Sequence, residues 1–220
     1  MSVSGLFLVL FLLFHMSMNL AAVFSTEAYN AICEFLGANW YALAGTLILA
    51  AGVVVHLVYA TVLTLHNRSS RGSQRYAMTA EPEGVTWASR NMYVLGIIIV
   101  LGLLLHLYNF WYNMQFAEII GNHELGPFPP ADGAAYIAAL FSSPVYCIIY
   151  LVWFAAIWFH LTHGFWSAFH TIGWDNQTWL PRLKRIANVV ATIVFLCFAL
   201  VVTVFYLRSL GVCGGSCAGF

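Results

Sequence analysis

Long apolar stretches dominate the chain, and short polar segments separate them. Five stretches qualify as membrane-spanning helices, because a helix that crosses a bilayer needs about 20 predominantly apolar residues. They run over about residues 3–24, 40–65, 91–114, 138–169 and 186–207. None shows the alternation of a barrel strand, and in lipid a span must satisfy its own backbone hydrogen bonds. The pattern predicts an all-α membrane protein with five transmembrane helices in a bundle, and residues 1–220 as a single domain.

Composition supports a lipid-facing surface. Of the 220 residues, 62% are hydrophobic and 7% are charged, whereas soluble domains carry about 25% charged residues. The 8 Lys and Arg balance the 8 Asp and Glu, so we expect no nucleic-acid partner. The first apolar run is predicted to stay in the protein, because no Lys or Arg precedes it as a signal peptide requires.

Basic residues are concentrated in two of the four loops. The loop after the second run carries Arg68, Arg71, Arg75 and Arg90, and the loop after the fourth carries Arg182, Lys184 and Arg185. The other two loops contain acids but no Lys or Arg. The positive-inside rule therefore predicts that the basic loops and the N-terminus are cytoplasmic, and that the C-terminus lies outside.

Histidine is the unusual feature of the apolar runs. His66, His123 and His170 fall in loops or at a helix end, where solvated side chains are expected. His15, His56, His106 and His160 instead lie inside four separate runs. Ionisable residues within a membrane are costly, so they indicate function.

The depths of these four histidines form two level pairs. His15 stands nine residues before Phe24, and His106 eight before Met114, towards the outer face. His56 stands nine residues before Leu65, and His160 nine before Phe169, towards the inner face. At about 1.5 Å per residue, each is roughly 12–14 Å from its face.

Two level imidazoles on different helices suit a haem iron with two axial histidines. Zinc or copper would need further ligands, and the runs contain no Asp or Glu to supply them. Glycines in the runs either let a macrocycle approach or let helices pack closely, and the sequence supports both readings equally: Gly45, Gly52, Gly96, Gly102 and Gly164. His163, three residues after His160, is an alternative inner ligand or a haem-propionate partner, but its depth favours His160.

Four segments resemble one family. The stretch from His160 to Ala168, His-Leu-Thr-His-Gly-Phe-Trp-Ser-Ala, looks like that family's H-x-x-x-G-[LF]-W-S segment. Weaker matches surround the other three histidines, at residues 14–19, 55–59 and 105–108. The chain, over about residues 5–208, resembles the di-haem cytochrome b membrane-anchor subunit of succinate dehydrogenase and fumarate reductase.

The resemblance implies two haem b groups, with His15 and His106 as iron ligands of the outer, distal haem and His56 and His160 as those of the inner, proximal haem. It implies a flavoprotein subunit and an iron–sulfur subunit on the cytoplasmic face, which would carry the dicarboxylate chemistry. It also implies a menaquinone substrate near the outer haem, a dimer of complexes, and a prokaryotic cytoplasmic (inner) membrane. The enzyme would be a quinone-linked succinate or fumarate oxidoreductase, with this chain as one subunit.

Two positions depart from the family pattern. Many members have a basic segment before the first helix, whereas here the helix follows Met1-Ser-Val-Ser. Some fumarate reductases carry a Glu two residues before the fourth histidine, where this chain has Trp158. A compensating proton path through that position is therefore not expected.

Other groups complete the predicted sites. Quinol oxidation releases two protons, so an outer acid is needed, and Glu34, with Glu27 second, is the candidate if it is partly buried. Arg90, Arg182 and Lys184 are candidate partners of haem propionates, with Trp87 as a further donor. The alternative for these inner-face residues is an ordinary positive-inside role.

Competing functions stay open at this point. The chain could anchor another respiratory enzyme of the nitrate reductase or hydrogenase type, although those distribute their histidines differently over the helices. A non-haem transporter would need a polar lining along one face, and a membrane protein without cofactor needs no such pairs.

Cys213 and Cys217 form either a disulfide or two free thiols.

Overall fold

A computed structural model describes residues 1–37, 39–70, 86–174 and 176–212. The described residues contain helices and connecting turns, without a β-strand. In chain order the helices are α1 (Ser2–Phe24), α2 (Thr26–Phe35), α3 (Trp40–Ser70), α4 (Trp87–Arg90), α5 (Met92–His106), a π-helix π1 (Leu107–Phe116), α6 (Ala117–Ile119), α7 (Gly133–Phe141), α8 (Pro144–Thr171) and α9 (Trp179–Ser209). Arg71, Arg75, Cys213 and Cys217 lie outside the described residues.

Five helical units in this part of the chain are long and apolar enough to cross a membrane. They are α1, α3, the continuous unit Met92–Ile119 made of α5, π1 and α6, α8, and α9. The prediction of an all-α, five-span bundle is therefore confirmed. The chain is a multi-pass membrane protein.

The fourth span begins later than predicted. Residues 133–141 form the separate helix α7, and the span itself starts at Pro144 rather than near residue 138. The break follows from Pro144, because its ring disfavours a helical conformation in the preceding residue. Ser143 is accordingly extended, with φ −90° and ψ 120°. Proline then suits the first helical position, where its missing N–H costs nothing.

Two spans are longer than their apolar runs. The helix α3 continues to Ser70, and α9 begins at Trp179, so Arg182 and Lys184 stand in its first turns. Polar residues can prolong a helix beyond the apolar layer. Hydropathy alone therefore predicted an end of α3 that is too early and a start of α9 that is too late.

The core lies between α8 and α9, with α1 packed against both helices. Val194 and Val202 of α9 are almost fully buried there, alongside Tyr150 of α8. By contrast, α3 has no buried residue along its whole length. It lies beside α1 and is the most loosely held of the spans described.

Arg208 is the basic residue that the charge pattern leaves on the outer side. Its Nη2 donates a hydrogen bond to the Val23 carbonyl oxygen at 2.7 Å, and its guanidinium lies over the Phe205 ring. The last carbonyls of a helix have no partner within the helix. Arg208 therefore caps the end of α1 and ties it to α9.

Candidate functional site

The structure brings His15 of α1 and His106 of α5 together. Their ring centroids are 5.7 Å apart and the rings are nearly perpendicular, at 88°. Aromatic side chains surround the pair: Phe11 stacks on His15 at 5.4 Å, and Trp153 of α8 lies 5.7 Å from His106. This outer pair therefore has several aromatic neighbours.

The inner pair is formed by His56 of α3 and His160 of α8. Their centroids are 6.4 Å apart, with the rings inclined at 70°. The start of α1 lies against this pair, because a Cβ on Gly5 would be 3.5 Å from Cε1 of His56. The inner pair thus contains the one histidine that α3 contributes to the bundle interior.

Both spacings fit two imidazoles that share one metal ion. With metal–nitrogen bonds of about 2.0 Å, ligands on opposite sides of a metal place their ring centroids roughly 6 Å apart. The measured separations are 5.7 Å and 6.4 Å. No group of three or more His, Cys, Asp or Glu side chains suited to a metal occurs in the ranges described. Two protein ligands suit a haem, which supplies four nitrogens itself.

Two of the four paired histidines have a ring nitrogen without a hydrogen-bond partner, a property that they share with His163. Nδ1 of His106 and Nδ1 of His160 are buried and have no hydrogen-bond partner. Leaving a buried polar atom unsatisfied costs about 1–3 kcal/mol. A membrane histidine kept only for structure would be expected to hydrogen-bond through its ring, and these two do not do so at Nδ1.

The two pairs lie at different levels along α1. Gly5 touches His56 of the inner pair, and His15 of the outer pair follows ten residues later. At about 1.5 Å per residue the levels are about 15 Å apart. The inner pair therefore lies nearer to the start of α1 than we expected from counting the residues between each histidine and the end of its apolar run.

His163 contacts Trp166 rather than His56. Its ring makes an edge contact with Trp166 at 5.0 Å, and Lys184 of α9 lies over the same indole at 4.6 Å. Nδ1 of His163 is also buried without a partner. His160, rather than His163, is therefore the residue that meets His56.

The other inner-face candidates are spread over two helices. Arg182 is exposed and stacks over Trp179 at 5.5 Å. Arg90 is exposed on α4, and Trp87 of the same helix packs against Phe159, the neighbour of His160. Lys184 thus shares a contact partner, Trp166, with His163.

Two hollows flank α2 at the other end of the bundle. One, of about 400 Å³, is apolar and is lined by Phe14, Met18, Ala31, Ile32, Phe35 and Leu36. The other, of about 380 Å³, is polar and is lined by Glu27, Asn30, Ala31, Glu34, Pro129, Ala131 and Asp132. Ala31 borders both, so an apolar surface beside His15 adjoins an acidic one.

Glu34 and Glu27 line the acidic hollow, but both are exposed. The partial burial on which the choice of Glu34 depended is therefore absent, and Glu34 is a solvated acid. The reason is its position on α2, a short amphipathic helix that turns Tyr29 and Cys33 inward and the glutamates outward.

The predicted glycines divide into three groups, and the third is Gly164, where a Cβ would make ordinary contacts with Met92 at 3.7 Å and His160 at 3.9 Å. A Cβ on Gly102 would overlap the Trp153 indole, and one on Gly52 would meet the Phe7 ring. These two glycines allow close helix packing. Gly45 and Gly96 have no other heavy atom within 4 Å of a Cβ position, so their surroundings are open.

Sequence reasoning missed the polar partners of the histidines. Asn19 contacts His15 and Ser4 contacts His56, both at 3.3 Å. The spacing of Asn19, four residues after His15 on the same helix, was the available signal. Nothing in the pattern indicates the π-helix that begins directly after His106, although such segments are frequent at functional sites.

Comparison with known proteins adds no relative: no family model, no curated protein and no solved structure matches the chain.

Proposed function

We propose that the chain is a di-haem cytochrome b, the membrane subunit of a quinone-linked enzyme of the succinate dehydrogenase and fumarate reductase type. It carries electrons between menaquinone at the outer side and an iron–sulfur subunit at the cytoplasmic face, beside a flavoprotein subunit. The observation that carries the proposal is the pairing of four histidines from four helices at two levels.

Each pair would hold one haem, His15 with His106 and His56 with His160. A haem held by two imidazoles would supply one-electron transfer rather than oxygen binding. The protein contributes the orientation of the rings and a surrounding layer of aromatic side chains. Levels about 15 Å apart place the two sites in succession along the bundle.

Inner-face cations support the placement of haem carboxylates and of the partner subunits there. Lys184 lies over Trp166, which also contacts His163, and Arg182 precedes it on α9. A carboxylate near these groups is favoured by opposite charge and by hydrogen bonding. Arg90 on α4 adds a further positive charge to the same end of the bundle.

The hollows beside α2 support a quinone site at the outer end. The apolar hollow offers Phe14 and Met18, which flank His15 on α1, to a prenylated ring. Each quinol that is oxidised releases two electrons and two protons. Glu34 and Glu27 line the adjoining acidic hollow and would take those protons at the surface.

Reduction by quinol in membranes that contain the whole complex tests the proposal. Addition of a menaquinol analogue should produce the absorbance of reduced b-type haem within the turnover time of the enzyme, and fumarate should then reverse it. The His106→Leu variant should keep the inner haem but lose rapid reduction by quinol. Haem that quinol reduces but only nitrate or protons reoxidise would assign the chain to another respiratory enzyme. Haem that no quinol reduces would overturn the proposal.

A further inference from the structure

The helix α3 carries His56 to the inner pair but is packed only shallowly against the bundle. None of its residues is buried, and it lies beside α1 and α5. A Cβ on Gly52 would meet the Phe7 ring, and His56 lies against Gly5 and opposite His160. These contacts are near the middle of the helix. Lipid supplies no hydrophobic force between helices, so the height and rotation of α3 depend on specific contacts.

Thr46 makes such a contact in the outer part of α3. Its hydroxyl donates a hydrogen bond to Oε1 of Gln115 in π1 at 2.8 Å. Thr64, farther along the same helix, instead donates to the Ala60 carbonyl oxygen at 2.7 Å, within its own helix. Such a local bond satisfies a hydroxyl without any neighbouring helix. Thr46 therefore links two spans, whereas the bond of Thr64 links none.

The orientation of the Gln115 amide is fixed from both ends. Oε1 also accepts from the indole N–H of Trp111 at 2.8 Å, and Nε2 donates to the Gly37 carbonyl oxygen at 3.1 Å. An indole nitrogen can only donate and a carbonyl oxygen can only accept, so a reversed amide would lose all of these bonds except that with Thr46. Gln115 therefore holds both the segment that leads into α3, at Gly37, and the helix itself, at Thr46.

The bond at Thr46 bears on His56 because one uninterrupted helix joins them. Ten residues separate the two, which is about 15 Å along the axis. A slip of α3 by one residue would shift it by about 1.5 Å and turn it by about 100°, which would carry His56 away from His160. The contact of Gly52 with α1 and the bond to Gln115 hold α3 to two different neighbours, so together they oppose both movements.

We propose that Gln115 is a positioning residue for the inner histidine pair, since its bond with Thr46 fixes the height and rotation of α3 and so presents His56 to His160. The proposal rests on the proposed function for the identity of the ligand that the pair would hold. Its consequence is long-range. Gln115 follows His106, a member of the outer pair, on the continuous unit Met92–Ile119, yet it governs the inner pair.

The rate of haem loss from the purified complex to excess apomyoglobin gives the first test. Thr46→Val replaces the hydroxyl by a methyl group of similar size, and Gln115→Leu removes the acceptor. Both should accelerate loss of the inner haem about 3- to 20-fold, the effect of one hydrogen bond between membrane helices. The outer haem, identified by its midpoint potential, should be lost at the wild-type rate, which also shows that the variants fold.

Matched controls separate positioning from the removal of a hydroxyl as such. Thr64→Val deletes a hydroxyl that bonds to its own helix, so both haems should be lost at wild-type rates. Thr46→Ser keeps the hydroxyl and should restore slow loss of the inner haem. In Gln115→Leu, faster loss of the outer haem alone, equally faster loss of both haems, or no change in either would overturn the proposal.

Spin labels give a second readout that needs no haem. They would be attached, in haem-free protein in nanodiscs with the native cysteines replaced, at the exposed residues Val62 on α3 and Ile172 at the end of α8. Thr46→Val should broaden the distribution of distances between the labels, and Thr64→Val should leave it narrow. If the wild type binds no haem but Thr46→Val broadens the distribution, the proposed function fails and the positioning stands. If haem binds and Thr46→Val changes neither the distribution nor the inner haem, the positioning fails alone.

Discussion

At the residue scale, His160 and His163 illustrate how two histidines one turn apart acquire different environments. His160 meets His56 across the bundle, whereas His163 points to Trp166 and, beyond it, Lys184. Three residues advance a helix by about 300°, so the two side chains diverge by about 60°. That rotation is enough to place one ring in the pair and the other beside the cationic end of α9.

His163→Gln should therefore keep both haems and their low-spin spectra. His160→Gln, the matched change three residues earlier, should lose the inner haem. Absorbance spectra of the two purified variants check this directly. Loss of the inner haem in His163→Gln, with retention in His160→Gln, would reverse the assignment of the ligand.

Cys33 offers a pH-dependent test of the α2 environment outside the spans. Burial raises the pKa of the Cys33 thiol to about 11 from its usual value near 9. Because the pKa of the thiol is higher in the folded than in the unfolded protein, the stabilisation that the buried, neutral thiol provides is complete below about pH 9. It is lost as the pH rises through about 11.

In a variant whose sole cysteine is Cys33, alkylation should be slow at pH 8. The rate should rise about tenfold per pH unit up to about pH 11, because the thiolate is the reactive form. In denaturant the same rise should level off near pH 9. A plateau near pH 9 in the folded protein would show that the thiol is not buried as described.

At the element scale, α5 and α8 are in close contact where Gly102 faces Trp153. The indole fills the space that a side chain would need, and its Nε1 donates to the Ile99 carbonyl oxygen at 3.1 Å. The π-helix begins at Leu107, directly after this contact and after His106. Close packing here sets the position of the outer histidine relative to α8.

Gly102→Ala should destabilise the protein by about 1–3 kcal/mol, since the added methyl group forces the indole to move. Gly96 is on the same helix, but a Cβ placed there would have no other heavy atom within 4 Å. Gly96→Ala should therefore stabilise the protein by about 0.5–1 kcal/mol, because alanine has less backbone freedom than glycine. Unfolding in mixed detergent micelles measures both changes. Equal effects of the two substitutions would contradict the packing at Gly102.

Sequence patterns located the spans better than their ends or their internal geometry. The length of an apolar run identifies a span, because a helix must be long enough to cross the lipid layer. The break before α8 depends on the single proline ring of Pro144, and α7 is a short helix, so apolar length alone did not indicate either feature. The level pairs could be predicted because helical rise is constant, so depth follows from counting. The exposure of Glu34 could not be predicted, since the rotation of α2 is fixed by tertiary contacts such as that of Tyr29 with Asn19.

At the scale of the whole molecule, the charged residues and the two histidine pairs are arranged along one axis. Basic residues cluster at the end of the bundle that carries the inner pair, and acidic residues cluster around α2 at the other end. Arg208 is the described exception, and it serves to cap α1. The same asymmetry predicts the orientation in the membrane.

Epitope tags inserted after Thr178 and after Val212 should test that orientation. In intact cells an impermeant protease should remove the tag at Val212 and spare the tag at Thr178. Permeabilised cells, in which both tags should be cleaved, provide the control. Cleavage of the Thr178 tag alone in intact cells would invert the topology, and with it the face at which partner subunits dock.

The most direct test of the central claim is a reduced-minus-oxidised absorbance spectrum with pyridine haemochrome quantitation. It compares the purified wild type with His56→Ala and His106→Ala. The account predicts two b-type haems per chain in the wild type and one in each variant, with a different haem lost in each case. Correctly folded wild-type protein without haem, or a single substitution that leaves both haems in place, would contradict it.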